Sequence, residues 1–536
     1  MRTRSRCIST PVRNRHSSFC FRHFLCCVAI ALCIPLGAFA VKPSAGDKPV
    51  PAKDRVPSFY KIDAVPMPPG INPQIGGMAA TPDGRLVVAF HHGEIAYFTP
   101  KGAVWKTFAE GLHEPLGVLV DNDGSLLVMQ RPELTRLRDT TGSGVADTYE
   151  TVWDGFGMTG NYHEFAFGPV RGPNGKLYVA LNLGSSGDTV HEEIRGEWKD
   201  IGLPRSEFFG EWKKVSKLAG RMYSRVPWRG WVMEVDPSTG IGTPFACGFR
   251  SPDGINFDGK GNLLISDNQG DWRGACELFV VERDGFYGHP ASLVWRKDWD
   301  GADPLKVPIE RLDKLRTPAP IWFPYGSYAN SATQMVQIPK IKAWGPYGGQ
   351  MMIGEMNVPK LLRILPEKVD GVWEGATVQF IDSALIKRGQ HRFAFVGDTL
   401  YAGRTHLSWA GAEGISTIQP LGKTPFDPLD MHVTPHGFRF DFTEPLAADS
   451  ADPALWPASS YYYLYHADYG SPEIEKTQVL PTKVTLSNGG KTAEVELPEM
   501  KLDFLYDFDL STLKSASNDT LLNPRIAYTL RKIPKH

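Results

Sequence analysis

The sequence predicts an all-β protein, a six-bladed β-propeller followed by a small immunoglobulin-like β-sandwich. Three observations support this fold class. Gly and Pro are frequent, at 54 and 43 of 536 residues, which suits a chain with many tight turns. A glycine turn followed by an apolar, often β-branched strand recurs six times, as expected for propeller blades. Near residue 425 the pattern changes to short alternating strands, which are typical of a sandwich.

Composition narrows the functional classes. The chain is 42% hydrophobic and 22% charged, so it can bury a core, and a wholly disordered chain is excluded. Its formal net charge is only −1. No basic field is available to release counterions from a phosphate backbone, so we expect no nucleic-acid partner.

Residues 1–40 predict a signal peptide. They contain six arginines and no acidic residue, then a short apolar run at 24–37 and a small-x-small site ending at Ala40. An amphipathic anchor is the alternative. The apolar run is too short for a lasting span. We therefore expect a periplasmic or secreted protein, cleaved near Ala40, with no membrane span afterwards. Residues 41–57, rich in Pro, Lys and Ala, predict a linker.

Cleavage of the predicted signal peptide would remove five of the seven cysteines. Of seven cysteines, only Cys247 and Cys276 lie beyond residue 40. In an exported chain they could form one disulfide or remain two thiols. The sequence has no C-x-x-C-H motif, so we expect no covalently attached haem.

The propeller is predicted over residues 58–424. Its repeated unit is a strand, a glycine turn, a second strand, a loop and a third strand, which together make one blade. The turn glycines are Gly84, Gly124, Gly175, Gly261, Gly349 and Gly397. Two of the intervals between these glycines are wide and contain insertions, at 184–228 and 291–325. We expect such insertions to lie at a face of the propeller and to form the rim of a site. A series of β-sandwiches is the alternative.

The C-terminal domain is predicted over residues 425–536. About seven short strands follow one another there, which favours a sandwich. Its cysteines are absent, so it is not an antibody-type domain. Such a module most often serves as a spacer or for attachment.

Two polar residues stand just before first strands of blades. In a propeller this position faces the central channel, and His163 and Arg250 both occupy it. A histidine there could take a proton from a substrate, or it could simply bond a neighbouring blade. An arginine there suits a carboxylate or a developing oxyanion, or it could form a structural salt bridge.

Two loops are rich in oxygen ligands. The loop at 266–274 (SDNQGDWRG) offers side-chain and carbonyl oxygens that calcium prefers, although an Asx-rich turn has the same composition. The loop at 139–147 has the outline of a calcium loop, but Thr141 and Ser143 replace carboxylates. We expect the second loop to be a turn without metal.

Several motifs resemble a known family. His163-Glu-Phe-Ala-Phe-Gly-Pro169, Gly248-Phe-Arg-Ser-Pro-Asp-Gly254 and Asp267-Asn-Gln-Gly270 are similar to motifs of the soluble glucose and sorbosone dehydrogenases. These are secreted six-bladed propellers that use pyrroloquinoline quinone with calcium. The chain looks closer still to a subgroup of large secreted propellers of planctomycete and verrucomicrobial bacteria. The motifs shared with that subgroup are Gly111-Leu-His-Glu-Pro-Leu-Gly117, Asn161-Tyr-His-Glu-Phe165, Asp267-Asn-Gln-Gly270, Gly285-Phe-Tyr-Gly-His-Pro290 and Tyr469-Gly-Ser-Pro-Glu473.

The resemblance implies roles for individual residues. His163 would be the general base that takes the sugar hydroxyl proton, and Arg250 would lie against the quinone oxygens. The carbonyls of Gly270 and Asp271 would hold calcium. Cofactor contacts are implied at Arg250, Gln269, Asn357, Lys360 and Arg392. Two positions depart from the pattern: Asn357 stands nearest a family lysine, with Lys360 three residues on, and Gln390 and Arg392 stand where the family has two arginines.

Three functions follow from these features. The first is a quinone-dependent sugar dehydrogenase that oxidises a sugar or sugar derivative and passes electrons to a separate carrier. The second is a non-catalytic carbohydrate- or protein-binding propeller, favoured by the two departures and by an aromatic insertion. Its tryptophans are Trp198, Trp212, Trp228 and Trp231. The third is glycan lyase or hydrolase chemistry on the same scaffold.

Overall fold

The computed structural model describes residues 55–186, 194–201, 205–208, 220–406 and 411–535. The predicted signal peptide and most of the predicted linker lie outside these residues. The described part is built mainly from antiparallel strands, so the all-β prediction is confirmed. No helix among the described residues is long and apolar enough to cross a membrane.

Six four-stranded meanders form the propeller, and the chain enters through β1 (Tyr60–Ala64), which belongs to the last of them. Blade 1 contains β2 (Ile75–Ala80), β3 (Leu86–Phe90), β4 (Ile95–Thr99) and β5 (Val104–Ala109). Blade 2 contains β6 (Gly117–Val120), β7 (Leu126–Met129), β8 (Leu134–Arg138) and β9 (Thr148–Trp153). Blade 3 contains β10 (Ala166–Arg171), β11 (Leu177–Leu181), β14 (Trp231–Val235) and β15 (Gly242–Cys247), with the hairpin β12 (Gly184–Ser185) and β13 (Met222–Tyr223) inserted.

The second half of the ring repeats this pattern. Blade 4 contains β16 (Gly254–Phe257), β17 (Leu263–Asp267), β18 (Cys276–Val281) and β19 (Ile321–Phe323). Blade 5 contains β20 (Ala332–Gln337), β21 (Met351–Glu355), β22 (Lys360–Val369) and β23 (Val372–Asp382). Blade 6 contains β24 (Gln390–Val396), β25 (Thr399–Arg404) and β26 (Gly414–Pro420), completed by β1.

Both ends of the propeller segment close the ring. β1 pairs antiparallel with β26, from Tyr60 opposite Pro420 to Ala64 opposite Ser416. The first strands of the blades contact one another in order, and β24 contacts β2 to complete the circle. The channel is therefore lined by six first strands, as the six-bladed prediction requires.

The six predicted turn glycines all lie between the first and second strands of their blades. Each has a positive φ, between 63° and 97°, a conformation that disfavours residues with a Cβ. This is the physical reason why glycine recurs at these six places.

Another glycine is required by close packing around the channel. A Cβ on Gly117, at the start of β6, would lie 1.7 Å from the carbonyl oxygen of Gly168 in the next blade. No side chain fits at that distance, so the first strands of blades 2 and 3 approach backbone to backbone.

The two predicted insertions adopt different positions. The first lies between β11 and β14 and contains β12, β13 and the short helix α1 (Arg205–Phe208). The second joins β18 to β19 and contains α2 (Ile309–Leu315). The connection from β18 to β19 packs on blade 3 just before this insertion, where Tyr287 donates its backbone N–H to the carbonyl of Cys247 at 2.8 Å. The described chain also contains short 3₁₀ helices, at Val56–Ser58, Pro290–Trp295, Pro304–Lys306, Lys342–Tyr347, Ala384–Ile386, Ala448–Ala451, Pro453–Leu455 and Asn488–Gly490.

The C-terminal strands form a two-sheet sandwich whose second sheet continues blade 5. The strands are β27 (Pro428–Thr434), β28 (Gly437–Phe442), β29 (Ala458–Tyr462), β30 (Ile474–Val479), β31 (Lys483–Ser487), β32 (Thr492–Glu496), β33 (Phe504–Asp509) and β34 (Arg525–Leu530). One sheet has the order β27-β28-β32-β31. In the other, β34-β33-β29-β30 extends from β23. A shared apolar core, including Val378 of β23 and Phe438 of β28, holds the sheets together.

The two cysteines are both buried free thiols. Burial raises the pKa of Cys247 and of Cys276 to about 12. Of the two states that the sequence left open, the structure has the unpaired one.

Candidate functional site

The predicted catalytic residues share one face of the propeller. We call it the upper face, where the first strand of each blade begins and the second strand ends. His163 precedes β10, Arg250 precedes β16, and the loop at 268–275 follows β17, so all three lie on this face. We define the mouth as the surface formed by His163, Arg250 and Asp271.

Buried polar groups hold the turn that carries His163. The side chain of Asn161 donates to the carbonyl of Ser185 at 2.9 Å and accepts the backbone N–H of His163 at 3.1 Å. Arg229, fully buried, donates to the carbonyls of Glu164 and Phe165. The histidine is thus fixed from both sides.

The tautomer of His163 follows from its partner. Nδ1 lies 2.9 Å from the carbonyl oxygen of Leu183. A carbonyl can only accept, so Nδ1 carries the hydrogen and Nε2 keeps its lone pair. Among the described residues, Nε2 has no hydrogen-bond partner. Burial, followed by the positive charge of Arg250, lowers the pKa of His163 to about 3. The imidazole is therefore neutral at physiological pH.

Arg250 is held by an ion pair that also includes a histidine. Its Nε donates to Oδ1 of Asp271 at 2.9 Å, and Oδ2 of Asp271 lies 3.0 Å from Nε2 of His289. Burial would lower the pKa of Arg250, but the Asp271 carboxylate outweighs that effect and raises it. Burial would likewise raise the pKa of Asp271, but the hydrogen bond from His289 and the charge of Arg250 hold it well below its usual range. The terminal nitrogens of Arg250 have no acceptor in the described chain.

A second ion pair lies beneath the first. Asp267 accepts the backbone N–H of Arg250 at 2.8 Å and of Ser251 at 2.6 Å. Its carboxylate also accepts from Nε of Arg273, 2.9 Å away. All four of these residues are buried. Carboxylates therefore fix both parts of Arg250: Asp267 holds its backbone and Asp271 holds its side chain.

The predicted calcium loop is closed by hydrogen bonds. The carbonyl of Gly270 accepts the N–H of Gly470 at 2.9 Å and that of Arg273 at 3.1 Å. The Asp271 carboxylate is already paired with Arg250 and His289. Among the described residues, no group of three or more His, Cys, Asp or Glu side chains is placed to hold a metal ion. In this arrangement the Gly270 carbonyl, one of the two implied ligands, does not fit a calcium ion.

Glycine is needed at position 270 for a different reason than the loop composition suggested. The φ of Gly270 is not positive, so its backbone conformation does not require glycine. A Cβ there would lie 1.9 Å from Nε of Arg250. The missing side chain makes room for the guanidinium.

The other implied cofactor residues have partners inside the protein. Nε2 of Gln269 donates to the carbonyl of Gly274 at 3.0 Å. Nζ of Lys360 donates to the carbonyl of Ser327 at 2.7 Å and lies 3.3 Å from Asp382. Asn357 follows β21, and its backbone N–H donates to the Glu355 carboxylate. The Lys360 ammonium group therefore already has a carbonyl and a carboxylate as partners.

Arg392 lies in the channel wall. Its guanidinium pairs with Asp253 at 3.0 Å and donates to the carbonyls of Gly76 and Leu116. His391 bonds the same carboxylate at 3.0 Å. Gln390 donates to the carbonyl of Lys387. This cluster joins blade 6 to blades 1, 2 and 4 and is not part of the mouth.

The sequence reasoning did not assign a role to three residues that the structure brings to the site. His289 supports Asp271, Tyr469 of the sandwich lies beside Arg250, and Arg221 of the first insertion lies beside Tyr469. Both His289 and Tyr469 stand in motifs that carry the family resemblance. Their contact with the mouth is a long-range feature that no local pattern contains.

Trp231 does not form part of an exposed aromatic platform, and Trp228 is half-buried. Trp231 is buried and donates its indole N–H to the carbonyl of Ser292 at 3.0 Å. Trp228 packs against it, with ring centroids 5.4 Å apart. Trp212 lies outside the described residues. Trp231 therefore offers no exposed face on which a sugar could stack.

The loop at 139–147 is closed by its own carboxylates. Asp139 accepts the backbone N–H groups of Ser143 and Gly144, at 3.0 and 2.6 Å. Asp147 accepts those of Thr140 and Thr141. These bonds explain why the segment turns as it does.

A family model described as a domain of unknown function, DUF7133, matches residues 104–211, a segment that includes the His163 turn. No curated protein matches the sequence.

Solved structures similar to this chain have low sequence identity. A Thermus thermophilus protein described as a glucose dehydrogenase is 16% identical, with a TM-score of 0.46, over 68% of this chain and 100% of that one. The PQQ-bound aldose sugar dehydrogenase of Streptomyces coelicolor is 15% identical, with a TM-score of 0.45, over 67% and 98%. The PQQ domain of a Coprinopsis cinerea pyranose dehydrogenase is 12% identical, with a TM-score of 0.43, over 67% and 95%. The chain is thus similar to several propeller sugar dehydrogenases.

Proposed function

We propose that the protein acts on a carbohydrate or a sugar-derived small molecule at the mouth. His163 accepts a proton from a hydroxyl group, and Arg250 stabilises the negative charge left on the oxygen. In a sugar dehydrogenase this proton transfer accompanies transfer of a hydride from the same carbon to an oxidant, which a separate acceptor such as a quinone would have to supply. One observation carries the proposal: the lone pair of Nε2 in His163 is unpartnered among the described residues, and it lies near a guanidinium with free terminal nitrogens.

The state of His163 suits proton acceptance. Because its imidazole is neutral, no proton has to leave before it can act as a base. A pKa near 3 makes the resting base weak. Arg250 is the second cause of that low pKa, so a ligand that brings negative charge beside Arg250 would raise it. The base then strengthens when such an anionic ligand binds.

Arg250 suits charge stabilisation. The Asp271 carboxylate takes its Nε, which leaves the planar end of the guanidinium for an oxygen ligand. Since the group is buried and its backbone is fixed by Asp267, little reorganisation is needed when charge develops. His289 and Asp271 act as positioning residues for this arginine.

The quinone-dependent form of the reaction requires more than these residues offer. A quinone with three carboxylates needs several cations, but Lys360 and Arg392 are bonded within the protein, and the Gly270 carbonyl accepts two N–H groups. The site does not fit a calcium-bound quinone as it stands. We therefore assign only the proton transfer and the charge stabilisation to this chain.

A dye-reduction assay tests the proposal. Purified protein, with and without quinone and calcium, is incubated with a panel of aldoses and aldose derivatives, and carbohydrate binding is measured by calorimetry. We expect His163→Gln to lower turnover about 10²–10⁴-fold while binding persists, as for loss of a general base. His436→Gln, at an exposed position in the sandwich, is the matched control. Equal turnover in the two variants would overturn the role of His163.

Non-catalytic carbohydrate binding is the second candidate. The hydrogen bonds made by Gly270 and the pairing of Lys360 and Arg392 favour it, because they leave no prepared calcium–quinone site. It predicts calorimetric binding with no added cofactor and no turnover under any condition. If no carbohydrate binds at all, both candidates fail.

We also propose that the protein is exported and, if it is a dehydrogenase, passes electrons to a separate carrier. The support is the basic and apolar pattern of residues 1–40. N-terminal sequencing of protein from periplasmic or culture fractions should begin at Val41. An intact N-terminus in the cytoplasmic fraction would contradict export.

A further inference from the structure

The sandwich contributes a residue to the mouth. Tyr469 lies in the segment between β29 and β30, and 54% of the residue is exposed. Three backbone hydrogen bonds of about the same length attach this segment to the blade-4 loop. They run from Gly470 to Gly270, from Trp272 to His466 and from Ser471 to Gly274, each 2.9 Å. The tyrosine is therefore held in place beside the site.

Two arginines from different elements flank this ring. The Cζ atom of Arg221, in the first insertion, lies 4.5 Å from the ring centroid of Tyr469. The Cζ atom of Arg250, in blade 4, lies 5.4 Å from the same centroid. Cation–π attraction to a shared ring lets two like charges lie on one surface. Three parts of the chain thus meet at one point.

The charges at this point do not balance. Asp271 is the carboxylate paired with Arg250, and it also accepts from His289. In the described part of the chain, no carboxylate lies within 4 Å of the Arg221 guanidinium, and that residue is exposed. His163 adds no positive charge because it is neutral. Within the described residues, the Arg221 guanidinium therefore has no carboxylate partner, and the terminal nitrogens of Arg250 beside it have no acceptor.

We propose that Arg221, Arg250 and Tyr469 form a subsite for the anionic group of an acidic sugar, a carboxylate or a sulfate ester. A planar guanidinium matches either anion with two parallel hydrogen bonds, and the tyrosine hydroxyl can donate another. The inference rests on the proposed function, which it narrows to acidic saccharides. A bound anion would also raise the pKa of His163, because its negative charge opposes the lowering effect of Arg250.

Calorimetric titration of three matched sugars tests the subsite. Glucuronate and glucose 6-sulfate carry the two anions on a glucose frame, and glucose is the neutral reference. We expect at least one acid to bind about tenfold or more tightly than glucose, and this preference should weaken as salt is raised. A charge-assisted hydrogen bond is sufficient for a difference of that size.

Two variants and one control locate the effect. Arg221→Gln should weaken binding of the acid about tenfold and leave glucose unchanged, and Tyr469→Phe should cause a smaller loss. Arg311→Gln is the control, because Arg311 also lies over an aromatic ring, that of Trp299 at 4.9 Å, but in the second insertion. It should change neither affinity. Arg221 is exposed, so its replacement should leave the melting temperature unchanged.

The outcomes separate this inference from the function on which it rests. Glucose binding as tightly as both acids, or Arg221→Gln binding the acid as wild type does, overturns the subsite and leaves the proposed function standing. Failure of all three sugars and of the wider carbohydrate panel overturns the proposed function, and the subsite with it.

Discussion

Replacing Arg250 with Gln removes the cation at the centre of the mouth. In the wild-type protein its Nε lies 2.9 Å from Asp271, and the two side chains are only 7% and 4% exposed. Removing one partner of a buried ion pair leaves the other charge uncompensated, at a cost of about 3–5 kcal/mol. Gln can still donate one hydrogen bond and His289 remains in place. We therefore expect the free energy of unfolding to decrease by about 3 kcal/mol.

The same substitution should change the titration of His163. Burial is the first cause of its low pKa and the charge of Arg250 is the second. Without Arg250 the pKa should rise but stay below the ordinary value of about 6.5, because burial persists. NMR titration of the ring, in wild type and variant, measures this directly.

Urea denaturation followed by tryptophan fluorescence measures the stability loss. The control is Arg311→Gln, whose partner Asp300 lies at a similar distance, 2.8 Å, but with side chains 47% and 51% exposed. Exposed pairs of this kind often contribute nothing measurable. The reasoning is refuted if Arg250→Gln and the control unfold at the same urea concentration and the His163 pKa does not move.

Three further predictions follow from the fold and the site. Folded His163 stays neutral down to about pH 3, while an unfolded histidine binds a proton near pH 6.5. The free energy of unfolding should therefore decrease as the pH is lowered from about 6.5 to about 3, and decrease less in His163→Gln. Urea melts at a series of acidic pH values measure this difference. Gly270→Ala should destabilise the protein more than Gly397→Ala, since only the first Cβ meets an atom within 4 Å; equal melting temperatures would contradict the packing argument. Cys247 and Cys276 should react with a thiol reagent only after unfolding, because both are buried; rapid labelling of native protein would contradict their burial.

The fold could be predicted because its signals are local. Each turn glycine lies at a positive φ between two apolar strands, and this pattern is complete within a short window of sequence. Repetition of the unit then predicts the ring. The continuation of blade 5 into the sandwich, through β23 and β34, joins strands that lie far apart in the chain, so no window of sequence could indicate it.

The site could be predicted in part. His163 and Arg250 were found because a polar residue before a first strand points to the channel mouth. The structure explains the glycine at position 270 by its neighbours, the Arg250 side chain and the backbone of Gly470. Both lie far from it in the sequence. A composition of oxygen-rich residues cannot tell a metal loop from a loop whose oxygens are already bonded.

The residues missed were those that act through distant contacts. Tyr469 reaches the mouth only because a segment of the sandwich pairs with the blade-4 loop. His289 reaches Asp271 because the chain that follows β18 runs back along blade 3. Motif similarity marked both residues without indicating what they contact.

The most direct test of the account is the response of His163 to a bound saccharide. In protein labelled with ¹⁵N-histidine, the account predicts that a saccharide which binds by calorimetry shifts the Nε2 resonance of His163 and leaves Nδ1 bonded to Leu183. The shifted signal should be absent from His163→Gln. Saturating binding with no change at Nε2 would place the ligand elsewhere and contradict the central claim.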